Sequence, residues 1–368
     1  MNKKILKIFL IWLGLLMLVG IASLSLSHYG AKTCNTKNQL PYYRWDSFWY
    51  TSIARHGYTF STEKNSSIAF FPLYPLAIKA TNFIVRLRDD RVSFGLNIMF
   101  SLLMAVYLYR LALFDHSKTV SRNVVAAVLF FPPAYFLLSG YPEALFVLLG
   151  VLSLYFGRKN KWLMAGIVSA LLAITKPYGI FMMPTLLCLY AEMHDWDWRI
   201  FFKKFSWTPL LFPISTFSGF VAFNYFKFGN PLAFLATQQT WGRSLGSPLT
   251  ALAMEAKFYL LDSNIFTGSN FPYVIYLSSL VFSIFALTLS WKNVKKSYLV
   301  FPVLLLTSAF LTGTLTSWDR YMLLGFPILI GPAIYFSKNK YLFWAYLSFS
   351  AFAMLVMASF FVRCFPVE

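Results

Sequence analysis

Charge is scarce in this chain. Only 12% of its 368 residues are Asp, Glu, Lys or Arg, about half of the roughly 25% typical of soluble domains. That excludes an ordinary soluble globular protein. Acid is scarcer still, with 13 Asp and Glu against 32 Lys and Arg and a formal net charge of +19. Four histidines are scattered, and the three cysteines, Cys34, Cys188 and Cys364, show no metal-ligand spacing. No protein-built metal site is therefore expected. Cys34 and Cys364 fall near outer ends of predicted spans, a placement compatible with a disulfide. Internal repeats are also lacking, which argues against an inverted-repeat transporter.

What the chain has instead is apolar length: 58% hydrophobic and 20% aromatic residues. Runs of about 20 apolar residues, the length that crosses a bilayer, recur from end to end. The pattern predicts an all-α polytopic membrane protein, one transmembrane domain over 1–368. About 11 spans are placed near 5–27, 93–114, 123–138, 143–157, 161–175, 178–193, 206–226, 271–290, 298–315, 320–336 and 341–361. The first is too long for a signal-peptide core and lacks a cleavage site, so it is read as an uncleaved span. Seventeen of the 32 basic residues then fall on one side; nine more lie in the long loop 28–92, leaving six. Such an asymmetry in short loops marks the cytoplasmic face. It places the N-terminus inside and the C-terminus outside, and it attributes the basic excess to topology with no nucleic acid as partner.

Two outer segments, 28–92 and 227–270, are long enough to expect function in them. The first contains YYRWDSFWYTSIARHGY (42–58), one acid among seven aromatic rings. From Trp45 onward apolar residues fall at 45, 48, 49 and 53, helical spacing for a short helix in the membrane interface. Asp46 and Tyr50, four apart, share another face. Asp46 is open to two readings, an N-cap of that helix or a carboxylate exposed for chemistry. A second aromatic and proline-rich run, AFFPLYPLAIK (69–79), reads as an interfacial belt, as a bent extension of the second span, or with the first run as a pocket wall.

RWDSFWYTSIARHGY followed by AFFPLYP resembles the PIG-V-like mannosyltransferases, related to the second mannosyltransferase of glycosylphosphatidylinositol assembly. SGYPEALFVLLGVLSLYFG, ITKPYGIF, FGNPLAFLATQQTWGR and SWDRYMLLGFPILI continue the match in order, from about 42 to 332. The size without large insertions resembles the bacterial branch. The resemblance implies the GT-C glycosyltransferase fold, an active site on the non-cytoplasmic side, a polyprenyl-phosphate sugar donor and an essential acid in the first outer loop. Asp46 is the matching position. Lys176 departs from the pattern, since many relatives carry Arg there.

Transfer from a phosphate-linked sugar to a hydroxyl needs a base for the acceptor proton and cations for the leaving phosphate. Asp46 is the candidate base, and a single displacement would invert the sugar carbon. Arg243, Arg320 and Lys176 are the phosphate candidates. Each has a plainer alternative: a solvated loop charge for Arg243, a pair with Asp319 or a snorkel for Arg320, a snorkel for Lys176. Arg44, Trp45, Tyr50, His56, Tyr74, Glu143, Gln239 and Trp241 are candidate substrate contacts. For Glu143 a cap of the fourth span is favoured, and for His56 a structural hydrogen bond. No cofactor is implied; a divalent cation shared by Asp46 and Glu143 is compatible with the pattern. The acceptor is a hydroxyl on a glycolipid, glycan or protein, and mannose rests on resemblance. The expected location is a bacterial plasma membrane, or an endoplasmic reticulum membrane in a eukaryote. The rival class is a transporter or flippase of lipid-linked sugars, which would set ionisable groups near the bilayer midplane.

Overall fold

The computed structural model describes residues 2–25, 39–197, 199, 208–243, 246–247, 253 and 271–365. Among them there is helix and turn but no strand. Apolar segments have no water to satisfy their backbone groups in a bilayer, and a helix satisfies them internally.

Each predicted span meets a helical element. These are α1 (Lys3–Ser25), α4 (Asp89–Ala112), α5 (Lys118–Leu129), α6 (Glu143–Arg158), α7 (Trp162–Ala173) and α8 (Met182–Met193) in the first half. The second half has α9 (Thr208–Phe228), α11 (Phe271–Asn293), α12 (Lys296–Phe310), α13 (Trp318–Leu324), α14 (Pro327–Phe336) and α15 (Lys340–Val362). Four of the described helices, α1, α4, α11 from Ile275 onward and α15, are long and apolar enough to cross a membrane. This is a membrane protein. Apart from α9, which runs 21 residues through Pro213, the others are shorter or broken, and proline is a frequent cause. Pro132 opens a 3-10 turn after α5, Pro177 opens another after α7, and α14 begins at Pro327. Proline supplies no N–H to the helical ladder, so it starts a helix more readily than it continues one.

Three elements lie outside this bundle: α2 (Ser47–His56), α3 (Leu73–Val85) and the short α10 (Ala233–Ala236), which runs into a 3-10 turn at Thr237–Trp241. The expected short helix after Trp45 is therefore α2. Phe48 is exposed on it, while Tyr50, Ile53 and Ala54 are buried. Most buried apolar residues, from Ile5 in α1 to Val362 in α15, join one contiguous cluster. A smaller cluster of Ile68, Phe71, Phe220, Ala233 and Phe234 ties the segment between α1 and α4 to α9 and α10.

Buried polar contacts fix the ends. Arg44 is almost wholly buried and donates to the carbonyls of Val362, Leu40 and Tyr43 at 3.0, 3.1 and 2.7 Å. It pins the chain entering α2 to the end of α15. Cys188 is a free thiol and Cys364 is disulfide-bonded, while Cys34 lies outside the described residues. At the opposite end Arg158 grips Asp115 with both Nη atoms, at 2.5 and 2.9 Å, and donates to the Tyr298 hydroxyl at 2.9 Å, joining α6, the end of α4 and α12.

Candidate active site

The segment between α1 and α4, α10 with its 3-10 turn, Arg243 and the ends of α12 and α13 enclose a cavity of about 840 Å³. Asp46 lies on its wall. Its backbone precedes α2 in the position of an N-cap, yet its φ and ψ are helical and its side chain makes no cap hydrogen bond. The cap reading therefore fails. The carboxylate instead faces Arg320, with Nη1 to Oδ2 at 3.5 Å, and is about a quarter exposed. Two contacts aim it. The Asp46 N–H donates to the Tyr141 hydroxyl at 3.1 Å, and Gly140 sits so close to Ser47 that an added Cβ would lie 2.8 Å from the serine Cβ.

Behind Asp46 is a charge chain. Arg320 Nε lies 3.7 Å from Glu143 Oε1, and the same oxygen accepts from Lys176 Nζ at 2.6 Å. Glu143 is fully buried at the first position of α6, its Oε1 accepting from Lys176 and its Oε2 without a hydrogen-bond partner among the described residues. The favoured reading of Glu143 as a cap is thus corrected, and so is its reading as a substrate contact. A buried Lys176 costs too much unpaired, and Glu143 supplies the partner. Burial pushes the Lys176 ammonium below its ordinary range, and Glu143 offsets part of that shift.

Arg320, the phosphate candidate whose plainer alternatives are a pair with Asp319 or a snorkel, forms ion pairs with Asp46 and Glu143. Its side chain is only 9% exposed, so it does not reach out to solvent. The guanidinium lies over the rings of Phe136 and Tyr141, at 5.4 and 5.5 Å. Arg243 sits 5.7 Å over the Tyr321 ring, so it is not a solvated loop charge. A cation shared by Asp46 and Glu143 does not fit these residues, because the Arg320 guanidinium stands between the two carboxylates. Among the described residues no three His, Cys, Asp or Glu side chains cluster in a way that could hold a metal ion.

The aromatic wall comes from the segment between α1 and α4 and from the turn after α10. Trp49 stacks on Phe70 at 5.7 Å and 13°, and Trp241 meets both edge-on at 5.4 and 5.5 Å. Trp45, Tyr50, Gln239 and Trp241, expected as substrate contacts, all line the cavity. Trp45, which is 42% exposed, and Trp49 both contribute to the pocket wall. Three expected contacts are elsewhere. Arg44 is the backbone staple described above. His56 is exposed at the far end of α2, and Tyr74 is buried behind Tyr50 with its hydroxyl 3.5 Å from the Ser93 carbonyl. Two residues were missed, Tyr178 and Tyr321, whose hydroxyls are hydrogen-bonded at 3.3 Å, Tyr178 donating. Both adjoin basic residues already singled out, which was the available signal.

The family model described as "Mannosyltransferase (PIG-V)" matches residues 21–244. The chain belongs to this family. The GPI alpha-1,6-mannosyltransferase 2 of Mus musculus is 33% identical over 157 residues, 39% of this chain but only 30% of the mouse protein. Two structures of the Archaeoglobus fulgidus oligosaccharyltransferase, each 13% identical, align with 95% and 96% of this chain and 52% and 55% of theirs. Their TM-scores are 0.43 and 0.44. One is a complex with zinc and sulfate, the other with an inhibitory peptide and a dolichol-phosphate.

Proposed function

We propose that this protein is a glycosyltransferase of the GT-C type. It moves a hexose, mannose by family, from a polyprenyl-phosphate carrier to an acceptor hydroxyl on the non-cytoplasmic side of the membrane. The observation that carries the reading is Asp46: free of any capping role, it stands in the cavity beside a guanidinium. In the reaction the acceptor O–H gives its proton to the Asp46 carboxylate as its oxygen attacks C1 of the sugar. The C1–O bond to phosphate breaks, and its electron pair leaves with the polyprenyl phosphate. A carboxylate positioned for that proton contributes roughly 10²–10⁴-fold in rate. One displacement inverts the anomeric carbon.

The cations support a phosphate-bearing carrier. Lys176 and Arg320 are paired with Glu143 and Asp46. Arg243, which lines the cavity, has no carboxylate in ion-pair range among the described residues and is available to a phosphate oxygen of the donor. The Arg fork suits phosphate oxygens, and the Trp49, Phe70 and Trp241 faces suit a sugar ring or an isoprene unit.

The test uses purified protein in detergent, with membranes from cells carrying the gene as acceptor. Labelled citronellyl phosphate mannose should donate its sugar and GDP-mannose should not. Transfer from GDP-mannose alone would overturn the reading.

A further inference from the structure

Six successive residues, FIVRLR (83–88), are exposed where α3 ends and α4 begins. Four of them are apolar: Phe83 is 84% and Ile84 79% exposed, with Val85 and Leu87 beside them. No residue from 79 to 91 lines the cavity, and the reaction described above uses none of them. The charges around this run are unequal. Asp89 is held by Arg55 and by the Asn82 amide, and Asp90 by Nε and Nη2 of Arg88, each at 3.1 Å. Both acids are buried. Lys79, Arg86 and Arg91 are exposed, and none has a carboxylate in ion-pair range among the described residues. Arg86 also occupies the left-handed position after α3, with φ 52° and ψ 42°, where Gly or Asn is the usual choice. A cation stands there against the local backbone preference.

We propose that the α3–α4 corner is a docking surface for anionic phospholipid. Phe83, Ile84 and Leu87 enter the acyl boundary, while Lys79, Arg86 and Arg91 hold headgroup phosphates. The helix α4 is long and apolar enough to cross a membrane and starts at Asp89, so this corner stands at a bilayer boundary. An amphipathic surface binds there through buried apolar area together with attraction to anionic lipid. Guanidinium forks suit phosphate oxygens. A second copy of the chain would bring the same cations, and an apolar protein face would bury them unpaired at high cost. Headgroups leave them hydrated. The corner also bears on the transfer site, although it is separate from it. Arg55 of α2 pairs with Asp89 of α4, and Tyr74 of α3 packs edge-on against Tyr50 of α2 at 5.4 Å. Lipid held at the corner therefore braces the helix that follows Asp46.

The test needs no sugar, so it stands whatever the fate of the transfer reading. Protein is reconstituted in phosphatidylcholine nanodiscs with a trace of spin-labelled phosphatidylglycerol or spin-labelled phosphatidylcholine, and the motionally restricted fraction of each is measured. Wild type should prefer phosphatidylglycerol. Arg86→Asn/Arg91→Gln suits the left-handed backbone at 86 and the helix at 91. It should lose at least about fivefold of that preference, the share of one basic residue at a lipid surface. Arg86→Lys/Arg91→Lys should keep most of it. No preference in wild type, or an unchanged one in the neutral variant, overturns the assignment. A second arm puts a nitroxide on Ile84→Cys in a Cys188→Ser background, because Cys188 is a free thiol. Oxygen from the lipid phase should relax it more than a water-soluble nickel chelate does. The reverse places the corner in water, as a face for an acidic protein would require, and equally overturns the proposal.

Discussion

Arg320 shows how one residue sets a site. Its guanidinium rests on two aromatic rings, reaches Asp46 on one side and Glu143 on the other, and so fixes the base and the buried anion together. Lys at this position keeps the charge but loses the planar fork. Arg320→Lys should therefore lower kcat/KM for citronellyl phosphate mannose by at least about tenfold, a loss on the order of the 1.5–3 kcal/mol of a charged hydrogen bond. Wild-type turnover by folded Arg320→Lys would remove the fork from the mechanism. Tyr321 makes a different prediction. Its ring underlies Arg243 while its hydroxyl accepts from Tyr178, which leaves the Tyr321 proton for the leaving phosphate oxygen. Tyr321→Phe keeps the ring, so Arg243 should stay in place. A donor aimed at developing charge acts on kcat more than KM. We expect kcat to fall roughly tenfold to a hundredfold with the donor KM little changed; a pure rise in KM would assign the hydroxyl to ground-state binding.

At the scale of elements, α2 must be delivered with Asp46 facing inward, and two contacts deliver it. The first is the approach of Gly140 to Ser47. A Cβ at residue 140 would meet the Ser47 Cβ and Oγ at 2.8 and 2.7 Å, and neither is the far end of a flexible side chain. Gly140→Ala should push the start of α2 outward and cut transfer sharply while insertion and donor phosphate binding persist. The second is Arg44, whose three bonds to backbone carbonyls tie the entry of α2 to the end of α15. Arg44→Met leaves those carbonyls unpaired, so we expect a stability loss of about 2–4 kcal/mol with turnover per folded molecule retained, read by thermal unfolding in detergent. This contrast marks the limit of the sequence. The long apolar helices were legible because their periodicity is local, and Asp46 because its motif is. Which of Arg44, Asp46 and His56 faces the cavity depends on the direction in which α2 is docked, and that is set by Gly140 and Val362, distant in the chain. Lys176 demanded a partner on energetic grounds, but nothing in the residues between identified Glu143 as that partner.

Over the whole molecule, the basic residues and the cavity make one topological claim. By sequence, Lys3, Lys4, Arg158, Lys159 and Lys338 fall in the segments read as cytoplasmic, while Asp46, Arg243 and Arg320 line the cavity, which we propose opens on the opposite side. Single cysteines placed within 30–40 or 245–250 should react with an impermeant thiol reagent in intact cells, and those at 293 or 339 should not. Reversed labelling would put Asp46 on the cytoplasmic side, away from a lumenal or external carrier lipid. The central claim is narrower: the carboxylate at 46 takes a proton. Asn caps helices nearly as well as Asp and keeps the shape of the wall, so Asp46→Asn isolates the chemistry. The measurement is transfer from citronellyl phosphate mannose by purified wild type and Asp46→Asn, with binding of the donor measured separately. We predict unchanged folding, retained donor binding and transfer at least about a hundredfold slower; transfer near the wild-type rate by the Asn variant would contradict Asp46 as the base.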